Sequence, residues 1–268
     1  MSNDIDPKDI LPFLINITAT AGKTIMSYFE GQYTVERKNV ELSSIDIVTD
    51  ADRESERIIV EAISSEFPDH DIITEESEPL EKGSSWKWFV DPLDGTINFA
   101  HGFPMFCVSV ALMKDDRLIA GIVHDPLRSE SFTASVGGGA FLNGKQIHVS
   151  SSERLQTSIV ATGFPYDRST SPKNNLAEFS RIMPNLQGIR RAGSAALDLA
   201  YVAAGRLDGF WELKLKPWDM AAGIRLVQEA GGRISNRTGE STNVYTDCVV
   251  ATNGKIHDTL VGLLSSAE

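Results

Sequence analysis

Residues Trp88-Phe89-Val90-Asp91-Pro92-Leu93-Asp94-Gly95-Thr96-Ile97-Asn98-Phe99 constrain this chain more than any other stretch, because an apolar run suited to a buried strand leads straight into two carboxylates. Pro92 between them fixes the backbone and removes a donor. A turn of this kind can aim Asp91, Asp94 and the Leu93 carbonyl at one point. Three hard oxygens converging there suit Mg²⁺. Gly95-Thr96 then opens a short helix through Phe99, and free N–H groups at a helix start bind phosphate oxygens. Taken alone, the dipeptide Asp94-Gly95 also fits a type I′ hairpin turn.

Two further acidic clusters bear on that choice. Asp71-Ile72-Ile73-Thr74-Glu75-Glu76-Ser77 reads as a strand ending in adjacent carboxylates, and Pro217-Trp218-Asp219 puts Asp219 in the first turn of a helix behind a proline. Separately, Glu75 and Glu76 fit a solvated strand end and Asp219 a plain cap. Together with Asp91 and Asp94 they can form one acidic pocket whose like charges repel unless divalent cations are bound. The chain as a whole carries 37 acidic against 25 basic side chains, a net charge of −12. That excludes generic binding to nucleic acid or to an anionic membrane, which needs clustered Lys and Arg. An anionic ligand has to be met locally.

Around these motifs the first half reads as two helices and a meander of strands. Ile10, Leu14, Ile17, Ala21, Ile25 and Phe29 recur at helical spacing up to Gly31, and a second helix over Ala51 to Glu66, capped by Thr49 or Asp50, turns Ile58, Ile59, Ala62 and Ile63 inward. Strands are expected at Asp71 to Thr74, Lys87 to Val90, Phe106 to Met113, Leu118 to His124 and Ser131 to Val136, with a hairpin turn at Asn143-Gly144. Past Ser150 strands and helices alternate, with helices at Asn174 to Met183, Ser194 to Ala204, Trp218 to Ala230 and Ile256 to Leu264. The small-residue helix from Ser194 is suited to close packing on a sheet. One unit of 268 residues with lobes of about 1–150 and 151–268, each layering helices on a sheet, is expected.

The motifs Glu75-Glu76-Ser77, Trp88 to Phe99, Gly193-Ser194-Ala195-Ala196 and Trp218-Asp219-Met220-Ala221-Ala222-Gly223, in this order and spacing, resemble the inositol monophosphatase family in its bacterial and archaeal form. The resemblance implies an α+β fold, a layered αβαβα sandwich, and lithium-sensitive, Mg²⁺-dependent hydrolysis of small phosphate monoesters by a homodimer. Inositol 1-phosphate is the expected substrate. Fructose 1,6-bisphosphate, histidinol phosphate and 3′-phosphoadenosine 5′-phosphate are the alternatives, and a non-catalytic regulatory protein on the same scaffold is the rival of another class. Carried over by position, Glu75, Asp91, the Leu93 carbonyl and Asp94 hold one metal, and Asp91, Asp94 and Asp219 a second. The Gly95 and Thr96 amides receive the phosphate. Asp52 pairs with the Thr96 hydroxyl and, with Glu75, orients the attacking water. Asp94, Gly193, Ser194, Ala195 and Glu212 line the pocket for the substrate hydroxyls. Lys38 corresponds to a lysine near a third, weaker metal, although the loop from Asn39 to Ser44 departs from the animal pattern.

Other readings fail on context. Gly139-Ala140-Phe141-Leu142-Asn143-Gly144-Lys145 follows the start of a phosphate-binding loop, but Gln146 stands where Ser or Thr is needed and a strand rather than a helix follows. The five histidines have no zinc spacing, and no Gly-x-Ser-x-Gly elbow offers a serine nucleophile. Arg190 and Arg191 can touch substrate or a partner subunit, and fit a solvated role equally well. Cys107 and Cys248, both within apolar runs, point to reduced buried thiols, and no leader or apolar window near the bilayer-spanning ~18 residues is evident, so a cytoplasmic location is expected.

Overall fold

A computed structural model describes residues 6–38 and 46–265. The loop from Asn39 to Ser44, singled out above beside Lys38, lies outside the described residues. Helices α1 (Ile10–Phe29) and α2 (Asp50–Glu66) form an outer layer. α1 turns Ile10, Leu14, Ile17, Ala21 and Ile25 inward at the spacing the sequence predicts. In α2 the buried apolar positions are Ala51, Ile59 and Ile63, while Ile58 and Ala62 are only half-buried because the helix rotates Asp52, Ser55 and Glu56 toward the interior. Between these two helices the chain adds a short antiparallel pair, β1 (Val35–Arg37) and β2 (Ile47–Thr49), that the sequence pattern does not announce.

The outer helices cover a seven-stranded sheet in strict chain order: β3 (Asp71–Thr74), β4 (Trp86–Asp94), β5 (Cys107–Lys114), β6 (Arg117–Asp125), β7 (Glu130–Ser135), β8 (Gly139–Leu142) and β9 (Lys145–Ile147). Asn143 and Gly144, both at positive φ, make the hairpin turn between β8 and β9, which disposes of the phosphate-loop reading of that stretch. A short helix, α3 (Thr96–Ala100), follows β4. The chain then enters a five-stranded sheet containing β10 (Ile159–Thr162), β11 (Gly188–Arg190), β12 (Gly209–Leu213), β13 (Arg233–Ser235) and β14 (Cys248–Thr252), in the order β11-β10-β12-β14-β13. α4 (Leu176–Ile182) and α7 (His257–Ser265) cover its far face, and α5 (Ala195–Ala203) and α6 (Pro217–Glu229) lie between the two sheets. Five layers result, αβαβα, with one apolar cluster under α1 and α2, one spanning both sides of α5 and α6, and one under α4 and α7.

The small residues of the central layer set its thickness. A Cβ on Gly121 of β6 would lie 2.8 Å from the Cα of Ala222, and one on Gly223 would lie 2.4 Å from the Cβ of Leu199. Thus α6 rests directly on the large sheet and α5 directly on α6, so the small-residue helix packs closely on its neighbouring helix as well as on a sheet. By length and mean hydropathy α1 could cross a membrane, which corrects the expectation that no apolar window comes close. Its apolar stripe is buried against α2 and the large sheet instead.

Candidate active site

The expected break after Val90 is a bulge. β4 continues through Asp91-Pro92-Leu93-Asp94, but Asp91 pairs with Ser109 and Asp94 with Cys107, so the edge toward β5 carries one extra residue. Pro92 occupies this segment, where its missing N–H costs no ladder bond. Its carbonyl accepts from Ser55 Oγ on α2 at 2.7 Å, and Leu93 N donates to Asp91 Oδ1 at 3.1 Å, which fixes the bulge from both sides. Gly95 then turns at φ +94, where a Cβ would approach the Met105 carbonyl oxygen to 2.8 Å, and α3 begins. The segment is therefore a strand-to-helix turn and not a type I′ hairpin.

Three of the predicted carboxylates converge. Oxygens of Glu75 beyond β3, Asp91 on β4 and Asp219 in the first turn of α6 all lie within 4.8 Å of one another. Asp91 is 1% exposed. Burial raises the Asp91 carboxyl well above its usual range, and the charges of Glu75, Asp94 and Asp219 add to the effect; Asp219 is raised by burial and by Glu75. Carboxylates held this close ionise together only with a compensating cation, and an all-oxygen set suits Mg²⁺ or Mn²⁺ over softer metals. Lys38 reaches Glu75 and Glu76, each at 2.6 Å, so it neutralises the outer edge of the cluster.

Asp94 stands beside this trio and is not part of it. Its Oδ2 accepts from Ser194 Oγ at 2.6 Å and from Ala196 N at 2.8 Å, joining β4 to the start of α5. The Ser194 hydroxyl that the sequence assigns to a substrate pocket is thus committed to Asp94. Thr96 Oγ1 lies 2.9 Å from Asp52 Oδ1 and 3.0 Å from the Leu93 carbonyl oxygen, so the predicted Asp52–Thr96 pair is present. The other oxygen of Asp52 accepts from the backbone N–H and the hydroxyl of Thr49, the N-cap of α2. One carboxylate therefore caps a helix and orients a threonine.

The cavity over these groups has a volume of about 450 Å³ and also receives Gly95, Gly193, Ala195 and Glu212. Glu212 projects from β12 against Gly163, where a Cβ would fall 2.1 Å from Oε1. No protein hydrogen bond holds its carboxylate among the described residues, since the nearby Lys214 side chain binds Asp167 and Ser171. Of the two arginines noted in the sequence, Arg191 lines the cavity and Arg190 does not. The sequence reading overlooked Tyr166 and Asp198, which also line it; Asp198 is hidden inside the helical run Ala195-Ala196-Leu197-Asp198-Leu199.

These groups make a testable pH signature. With burial the largest cause in each, Asp52 and Asp94 are raised to about 6, and Glu76 and Glu212 to about 8. The fold thus keeps protons that the unfolded chain, with carboxyl values of about 4, has already released. Their contribution to stability is complete below that value and is lost as pH rises through 6 to 8. In a chelating buffer the melting temperature is expected to fall from pH 6 to pH 8, and saturating Mg²⁺ to flatten the slope. A chelated protein with a flat or rising profile would contradict this arrangement of buried acids.

Comparison with known proteins places this geometry. The family model of the inositol monophosphatase family matches residues 6–268. An inositol-1-monophosphatase of Synechocystis is 47% identical over 222 residues, 82% of this chain and 77% of its own. A protein of Pseudomonas aeruginosa called Nus factor SuhB is 45% identical over 237 residues, 85% of this chain and 88% of its own. The crystal structure of the extragenic suppressor protein suhB from Bartonella henselae, 38% identical, superposes with a TM-score of 0.90, covering 97% of this chain and 100% of that one.

Proposed function

Because the chain belongs to the inositol monophosphatase family, we propose that it hydrolyses the phosphate monoester of a small polyol, inositol 1-phosphate in the first instance. The observation that carries this reading is the convergence of Glu75, Asp91 and Asp219 beside the Asp52–Thr96 pair. Two to three Mg²⁺ ions held by Glu75, Asp91, the Leu93 carbonyl, Asp94 and Asp219 would supply positive charge to the phosphoryl oxygens and acidify a water. The chain's own groups do the rest. The Asp52 carboxylate, fixed by Thr49, takes the hydroxyl proton of Thr96 and leaves the Thr96 oxygen free to accept a proton from the attacking water. Glu75 helps to orient that water. The Gly95 and Thr96 amides at the start of α3 bind phosphate oxygens.

Fructose 1,6-bisphosphate, histidinol phosphate and 3′-phosphoadenosine 5′-phosphate are the competing substrates. Phosphate release from this panel with and without Mg²⁺ tests the proposal, and no metal-dependent release from any of them sinks it. The relative called Nus factor SuhB matches over nearly the same length. A purely regulatory role fits less well with the carboxylates assembled here. In the same proposal the protein is a lithium-inhibited, cytoplasmic homodimer. Two free buried thiols, Cys107 and Cys248, support a reducing compartment, and a net charge of −12 supports small substrates over nucleic acid or membrane.

Glu212 is the group placed against the polyol hydroxyls. Above about pH 8, where the Glu212 carboxyl is ionised, a hydrogen bond to a charged acceptor contributes about 1.5–3 kcal/mol, so Glu212→Gln is expected to lower kcat/KM for inositol 1-phosphate by about 10- to 100-fold. An aryl phosphate, which has no such hydroxyls, should be cleaved almost as before. Equal losses on both substrates would remove Glu212 from the pocket.

A further inference from the structure

We propose that Asp198 is a second acidic contact for the hydroxyls of the leaving group, so that specificity rests on Asp198 and Glu212 acting together; this rests on the polyol phosphatase reading above. Asp198 lies on α5, one turn after Ser194 and on the same face. It is 2% exposed, and it lines the cavity that also receives Glu212 and Arg191. Among the described residues its carboxyl has no hydrogen-bond or ion-pair partner, although its neighbours on α5 are the buried Leu197 and Leu199. A carboxyl this buried calls for a partner, and the cavity it lines is where one can be supplied.

The surroundings indicate what it receives. Glu212 reaches the cavity from β12 on the face shared with Phe210, toward the layer that contains α5. Burial chiefly, then the charges of Glu212 and Asp94, hold Asp198 well above the usual carboxyl range, while Arg191 works against them. Two acids facing one space, protonated or ionised, offer a phosphate group no attracting charge, so this end of the cavity suits the uncharged part of the substrate. A carboxylate accepts from a hydroxyl and a protonated carboxyl donates to one, so such a pair can satisfy both roles of an alcohol. In its ionised form Asp198, in the first turn of α5, would also interact favourably with the helix dipole, an interaction that would not discriminate between substrates.

The ratio of kcat/KM for inositol 1-phosphate to that for an aryl phosphate, measured in Asp198→Asn and Asp198→Ala, tests the proposal together with the Mg²⁺ dependence of each variant. Loss of one such hydrogen bond is expected to lower the ratio by about 10-fold in both variants, with the Mg²⁺ dependence unchanged. In the double variant with Glu212→Gln the two losses should combine to less than their product, because both residues contact one leaving group. Parallel losses on both substrates, or a shifted Mg²⁺ dependence, would make Asp198 a structural or metal-site residue and overturn the proposal. Wild-type enzyme that prefers the polyol phosphate, with the same preference in either variant, would overturn the Asp198 assignment alone. Wild-type enzyme with no polyol preference would overturn both this assignment and the function on which it rests.

Discussion

Asp91→Asn is expected to lower kcat/KM by about 10³-fold or more at saturating Mg²⁺, since a metal site is worth several kcal/mol of transition-state stabilisation. The same change should make the metal-free protein more heat-resistant by a few degrees. Asp91 is 1% exposed and faces Glu75 and Asp219 across less than 4.8 Å, so a neutral amide removes repulsion that the fold otherwise carries. Its Oδ1 can still accept the Leu93 amide at 3.1 Å, which preserves the bulge. Activity lost and apo stability gained in one variant separates a metal ligand from a structural acid, whose removal would cost both. Near wild-type turnover, or a melting temperature that Mg²⁺ still raises as in the parent, would show that Asp91 holds no metal.

Thr96→Ala should lower kcat by about 10²- to 10⁴-fold, the range of a positioned proton relay, and leave KM and the Mg²⁺ dependence close to those of the parent. Deleting the hydroxyl removes the 2.9 Å contact to Asp52 Oδ1, while the backbone amide assigned to phosphate stays. Asp52 itself remains held by Thr49 through its other oxygen, so α2 keeps its cap. Thr96→Ser restores the hydroxyl and should recover most of the rate. A change confined to KM would move Thr96 from proton transfer to binding.

How far such a site can be read from sequence depends on how local its determinants are. The run from Trp88 to Phe99 announces itself because an apolar strand, a proline between two acids and a helix start are adjacent in the chain. Its geometry was only half legible: the strand does not stop at Val90 but bulges, since pairing with β5 outweighs the interruption by Pro92. Strands β1, β11 and β13 have three residues each, too few for a period of two to show. The convergence of Asp219 with Glu75 and Asp91 follows from the packing of α6 on the large sheet, which small residues permit but do not spell out. Glu212 was reached through family resemblance, and Asp198 not at all, because one acid in the first turn of an alanine-rich helix looks like ordinary dipole complementation. The apolar stripe of α1 was legible, whereas its membrane-like mean hydropathy shows that composition alone does not separate a core helix from a spanning one.

The tie between Asp94 and the start of α5 has a consequence for biosynthesis. Glu75, Asp91 and Asp94 leave the ribosome early, while Ser194, Ala196 and Asp219 emerge only in the last third of the chain. A nascent chain carrying only the large sheet holds Glu75, Asp91 and Asp94 without Asp219, and has no α5 N-terminus to engage Asp94. Contacts so distant in sequence form late and slowly. The acidic cluster is therefore completed only with the full tertiary structure, and a cation bound there would mark a molecule that has finished folding.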